Sequence, residues 1–250
     1  MLCHRARTVT SVTVELDQPD TWPSNARAWV ADAAAHCRGS TELAPDLPNW
    51  LLEREDEFRA SLGDDALLVY HCTRLFDHER DAILADGLRP LDGGLVKRRI
   101  AAAVDHGVLD EAAHRWVRDG NVYAINNTLG RENQVCFVVG RNALDHEADG
   151  LSPFLTYWGG EALRGGPGDA APLRSIGLPA IVVCRLQLAP ALGRIVSHPP
   201  LSKLFVGVSL GLEMCAGELH VYRRIAAANV VAVWQPGDPD YDRHAALPRD

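Results

Sequence analysis

Strand-like runs crowd the second half of this 250-residue chain, and helix-like runs crowd the first. "QVCFVVG", "PAIVVCRLQL", "KLFVGVSL", "GELHVYRRI" and "AANVVAVWQPG" all read as strands from residue 134 onward, with "NVYAINN" just before them. Ahead of them, "PSNARAWVADAAAHCRG" and "PNWLLEREDEFRASLG" carry apolar residues at helical spacing and stop at Gly39 and Gly63. Such segregation predicts an α+β fold with a mostly antiparallel or mixed sheet, not an alternating βαβ fold. The phosphate-loop motifs GxGxxG and GxxxxGK[ST] are absent, in keeping with this.

The boundary between the two regimes is "ALLVYHCTRLF" at residues 66–76, a buried strand that ends in a polar signature. The reading gives residues 1–65 as an N-terminal strand and helical cap and residues 66–250 as the main domain. After the strand, "DHERDAILADGLRPL" predicts a helix. Asp77 is its expected N-cap, Arg80 its third residue, Gly87 its stop, and no capping box is expected. "GGLVKRRIAAAVDHGVLDEAAHRWVRDG" predicts two helices broken at Gly107.

A net charge of −8 argues against coating nucleic acid by bulk electrostatics, yet leaves room for a local basic groove around Arg89, Lys97, Arg98 and Arg99. Six cysteines without a CxxC pair, and no HExxH, give no metal centre; Cys136 and Cys184 read as core residues. The cysteine usage predicts a reducing compartment, and the lack of an apolar leader or membrane-length run predicts a cytoplasmic protein that does not engage a membrane.

Taken together, "YHCTR…ILADGLRPL" and the late block "AGELHVYRRIAAANVVAVW" resemble the ADP-ribosyltransferase superfamily, in the branch with a His–Tyr–Glu pattern that includes the poly(ADP-ribose) polymerases and diphtheria-type toxins. Cys72 stands where that branch usually has Gly. The resemblance covers roughly residues 66–235. It implies a split, curved sheet with a NAD cleft, NAD as substrate and no metal. By the resemblance, His71 holds the adenosine-side ribose, Thr73 touches the nicotinamide-side ribose, and Cys72 and Arg74 complete that NAD-binding turn. Tyr123 stacks on nicotinamide, with Phe137 and Tyr157 as rival aromatics and Trp158 beside Tyr157 in the pocket; Glu161 is a further polar candidate. Glu218 begins its strand as the catalytic carboxylate, positioned to stabilise an oxocarbenium-like ribose and orient the nucleophile. The branch that modifies arginine is disfavoured, because position 216 is Ala and no Ser-Thr-Ser run occurs.

The expected activity is transfer of ADP-ribose from NAD to a protein or nucleic-acid acceptor. A toxin or defence role and an inhibitory partner protein enter by family analogy. Two alternatives stay open: NAD hydrolysis at the same site, and a degenerate, non-catalytic binding module of the same fold.

Overall fold

The computed structural model describes residues 13–38, 47–126, 130–145, 151–164, 171–174, 176–212 and 217–249. In chain order the elements are β1 (Thr13–Val14), α1 (Ser24–Arg38), α2 (Trp50–Glu53), α3 (Glu55–Ser61), β2 (Ala66–Leu75), α4 (Asp77–Asp86), α5 (Gly93–Asp105), α6 (Glu111–Gly120) and β3 (Val135–Val139). There follow α7 (Ser152–Thr156), α8 (Gly160–Arg164), β4 (Leu178–Gln187), β5 (Ile195–His198), α9 (Leu201–Ser209), β6 (Gly217–Val221), β7 (Val230–Trp234) and α10 (Pro239–Asp242).

The strands form one seven-stranded, mostly antiparallel sheet in the order β5-β6-β3-β2-β4-β7, with β1 added in parallel to the start of β2. The mixture of helices with a mostly antiparallel sheet agrees with the predicted α+β class. Pairing is uneven in a way that matters for the site. β2 pairs with β4 along its whole length, from Ala66↔Gln187 to Leu75↔Leu178. On its other side it meets β3 only at Val69↔Val139 and Tyr70↔Val138. Beyond Tyr70 the two strands part, while β3 stays paired with β6 from Val135↔Val221 to Val139↔Gly217.

One face of the sheet, carrying Val69, Phe137, Val182 and Leu219, packs on Val30 and Ala33 of α1, Phe58 of α3 and Phe205 of α9. Phe205 makes tilted ring contacts with Trp22 and Phe58, both at 4.8 Å between centroids. The helices expected as an N-terminal cap therefore share one core with the sheet. The opposite face, with Tyr70, Cys72, Ile181 and Trp234, is covered by Leu155 of α7 and Tyr241 of α10.

Three local expectations are corrected. "KLFVGVSL" is not a strand but most of α9, in which Leu204, Phe205, Val206 and Gly207 are all buried. A run enclosed on every side loses the polar alternation that separates strand from helix. "NVYAINN" contains no strand over residues 121–126. Asn121 instead accepts the backbone N–H groups of Tyr123 and Ala124 through its side-chain oxygen, which fixes a turn there. The helix "PNWLLEREDEFRASLG" is divided into α2 and α3 at Arg54.

The frame of α4 is also shifted by one residue. Phe76, not Asp77, is the N-cap, so the third helical residue is Glu79 and its carboxylate accepts the Phe76 N–H at 3.1 Å. At the far end, Gly87 has φ of 82°, and a Cβ there would collide with the Ile225 carbonyl oxygen. Only glycine lets Leu88 pair with Ile225 in the isolated bridge that leads Arg89 toward the parted strands.

Candidate functional site

The parting of β2 and β3 opens a slot of about 170 Å³. Tyr70, Cys72, Val138 and Glu218 lie on one pleat face, and His71, Thr73 and Phe137 on the other, yet all of them line it. The opening is therefore bordered by residues of both pleat faces. In an unbroken sheet, the register Tyr70↔Val138↔Glu218 would set His71 and Glu218 on opposite faces. Both residues nonetheless border one opening where the strands part. A second cavity of about 290 Å³ adjoins it, lined by residues of β2, α4 and α5 that include His71, Thr73, Glu79 and Arg99.

His71 bridges the parted strands. Its Nδ1 lies 2.8 Å from the carbonyl oxygen of Cys136 on β3, so Nδ1 carries the proton and donates, and Nε2 is left as an acceptor. Burial pushes the imidazole pKa below its ordinary value. The Cys136 hydrogen bond opposes this and the positive charge of Arg99 adds to it. His71 is therefore neutral at neutral pH. Thr73, two residues on, is buried and lines both cavities.

Glu218 is the second residue of β6, opposite Val138. Its Oε1 accepts from Arg131 Nη1 at 2.6 Å and lies 3.1 Å from His220 Nε2. Partial burial acts to raise its pKa, but the polar contacts of His220 and Arg131 prevail and hold the carboxyl below the ordinary range. Arg131 Nη1 also lies 2.9 Å from the same His220 nitrogen. Through Nε2, His220 donates to Glu218, and this contact and the Arg131 cation together keep Glu218 charged. Cys136, Glu218 and His220 offer three metal-ligand atoms within 4.8 Å of one another. The Arg131 cation already stands among them, 3.7 Å from the Cys136 sulfur.

The remaining predicted residues fall into two groups. Cys72 lines the slot, with burial pushing its thiol up to about 12, so it is an inert wall residue. Arg74 does not line either cavity. It is 2% exposed and donates to the carbonyl oxygens of Ile176, Leu155 and Gly177 at 3.0, 2.9 and 2.7 Å. Tyr123 packs its ring on Gly93 and points its hydroxyl to the Leu91 carbonyl, outside the slot that its neighbour Val122 lines. Tyr157 lies under Arg174, and its hydroxyl accepts from that guanidinium at 2.8 Å. Trp158 is fully buried and donates to Glu79 at 2.8 Å. Neither faces the slot. Of the aromatic candidates Phe137 alone lines it, together with Tyr70 and Phe154, which were not anticipated. The side chain of Glu161 lies outside the described residues.

Glu79 and Gln134 were missed as site residues, and Arg99 was anticipated only as one member of a basic groove with Arg89, Lys97 and Arg98. Glu79 is buried and receives Arg99 Nε at 2.6 Å, Trp158 Nε1 and the Phe76 amide. Burial acts to raise its pKa; Arg99 and the three hydrogen bonds outweigh that and lower it. The sequence signal was an acid three residues past the true N-cap, hidden by reading the cap one residue late.

These shifts give stability a definite pH dependence. Each folded-state value is depressed, so the unfolded chain binds more protons and stability falls as pH falls. For His71 the loss begins near the ordinary value of 6.5. For Glu79 and Glu218 it begins near 4.5. Urea midpoints measured from pH 8 to pH 3 are expected to decline in two stages, and His71→Gln is expected to flatten the upper one. A midpoint that rises on acidification would contradict the assignment.

No family model, no curated protein and no solved structure matches this chain. None of the described helices is long and apolar enough to cross a membrane.

Proposed function

We propose that the chain is a NAD-dependent ADP-ribosyltransferase that moves ADP-ribose from NAD to a macromolecular acceptor and releases nicotinamide. The observation that carries this reading is the meeting of His71 and Glu218 at one slot between parted strands. The parted sheet accords with the split sheet that the resemblance implies. The chemistry fits each residue. A neutral imidazole with a free acceptor nitrogen suits a ribose hydroxyl. A charged carboxylate suits the cationic ribose that forms as the nicotinamide bond breaks, and its contact with the 2′-hydroxyl strengthens as that charge grows. Phe154, only partly buried beside the slot, supplies an aromatic surface for the planar ring, in place of Tyr123 and Tyr157. The acceptor is a protein or nucleic acid, and the setting a cytoplasmic toxin or defence system in which a partner protein restrains activity.

A second reading, a binding module of the same fold without turnover, draws on the Arg131 contact, since a cation fixed against Glu218 opposes the charge it is meant to stabilise. Incubation with NAD separates the two. Free nicotinamide, resolved by chromatography and rising with enzyme concentration, is the expected result. Its release without any acceptor marks hydrolysis, and its release only with added protein or nucleic acid marks transfer. No release under any of these conditions overturns the catalytic reading.

A further inference from the structure

The two cavities share one stretch of wall, built from His71, Thr73, Leu88, Arg89, Leu95 and Arg99. A groove with two lobes and a common waist suits a ligand with two ends, and the character of the waist specifies what joins them. We infer that Arg99 is a preset clamp for an anionic, diphosphate-type linker lying across that waist.

Arg99 is held before any ligand arrives. Its Nε donates to Glu79 Oε1 at 2.6 Å, and its guanidinium lies over the Trp158 ring, 5.2 Å from the centroid. Glu79 is fixed in turn by Trp158 Nε1 at 2.8 Å and the Phe76 amide at 3.1 Å. This brace fixes the plane of the guanidinium and uses one side of it. Nη2 is enclosed and, among the described residues, has no hydrogen-bond partner. An arginine cannot shed its charge, so an enclosed, unpaired N–H on it is costly and rare in folded proteins. The Arg99 side chain is still 21% exposed and borders both cavities, and its planar fork presents the geometry that phosphate oxygens accept.

The charge around the second cavity agrees. Arg89, Arg98 and Arg99 line it against two carboxylates, Glu79 and Asp86. Glu79 is committed to the brace, and Asp86 lies 3.9 Å from Arg89. The balance of the second cavity is positive, through Arg98. The first lobe carries a second unpaired group of the opposite kind, the Gln134 side-chain oxygen, in a residue only 3% exposed. Arg99 belongs to the α5 segment, outside the strand motifs that carry the family resemblance. The identity of the two ends rests on the NAD reading above; the clamp itself does not.

Calorimetric titration with ADP and with adenosine, side by side, isolates the linker. Wild type is expected to bind ADP about 10–100-fold more tightly than adenosine, since charge-assisted hydrogen bonds to phosphate are the strong class. Arg99→Gln is expected to bring the two ligands to within about threefold of each other. Arg99→Lys keeps the ion pair with Glu79 and so preserves the fold, but lacks the second prong and is expected to fall between. Thermal melts report folding. A wild type that binds adenosine as tightly as ADP, or a folded variant with an unchanged preference, overturns the clamp. Nicotinamide release from NAD is scored separately. Turnover with no ADP preference sinks the clamp and leaves the transferase reading. An ADP preference through Arg99 without turnover sinks the transferase reading and leaves the clamp.

Discussion

Glu218→Gln is expected to lower the rate of nicotinamide release from NAD by about 10²–10³-fold, with KM for NAD nearly unchanged. The substitution keeps the size of the side chain and an acceptor for Arg131, and removes only the charge. That charge matters little to a neutral glycosidic carbon at rest and much to the oxocarbenium-like ribose, so the loss is confined to the transition state. Steady-state rates across pH provide a second check. Because the Glu218 carboxyl is held below the ordinary range, wild-type activity is expected to persist through mildly acidic pH and to fail only below the usual carboxylate value of 4.5. Release by Glu218→Gln at the wild-type rate would remove the residue from the mechanism. Folding is a minor concern, since the side chain sits at a strand start and is 38% exposed.

The largest effect on stability is expected from Arg74→Ala. The guanidinium is buried on the face opposite Thr73 and His71 and draws together the carbonyls of Leu155, Ile176 and Gly177, which come from α7 and from the approach to β4. Truncation leaves those acceptors enclosed and unpaired and opens a cavity beneath α7. The expected loss is about 3–5 kcal/mol, as for the breaking of other buried charge networks. In a chain of this length that corresponds to a fall in melting temperature of roughly 6–20 °C. Arg74→Met fills the space without the donors and is expected to recover only part of the loss. Melting curves of both variants decide the matter. An unchanged melting temperature with weakened NAD binding would return Arg74 to the binding site.

The fate of Arg74 shows where sequence reading reached and where it stopped. "HCTR" was taken as four consecutive binding residues, yet alternate residues on a strand point to opposite faces. His71 and Thr73 reach both cavities, Cys72 reaches only the slot, which residues of both pleat faces border, and Arg74 turns away. Glu218 was legible as a carboxylate at the start of an alternating strand. The aromatic surface was not. Phe154 rides on the short helix α7, and its place at the slot follows from tertiary packing, not from any spacing in the chain. The apolar run of α9 was misread because burial on all sides erases periodicity. Arg99 was visible only as one member of a basic stretch. Its selection from that stretch depends on Glu79 and Trp158, which lie twenty residues before it and far after it in the chain.

The two-rung contact between β2 and β3 has one more consequence. Past Tyr70, β2 has an edge inside the molecule: no described strand pairs it on that side. An exposed edge of this kind normally recruits a second polypeptide and invites aggregation. Here Leu95 and Arg99 from α5 and Gln134 from the approach to β3 wall it in. The opening beside that edge holds about 170 Å³. Under the proposed function the strand's peptide groups there stand beside the bound NAD, and a contact to main chain survives most side-chain substitutions.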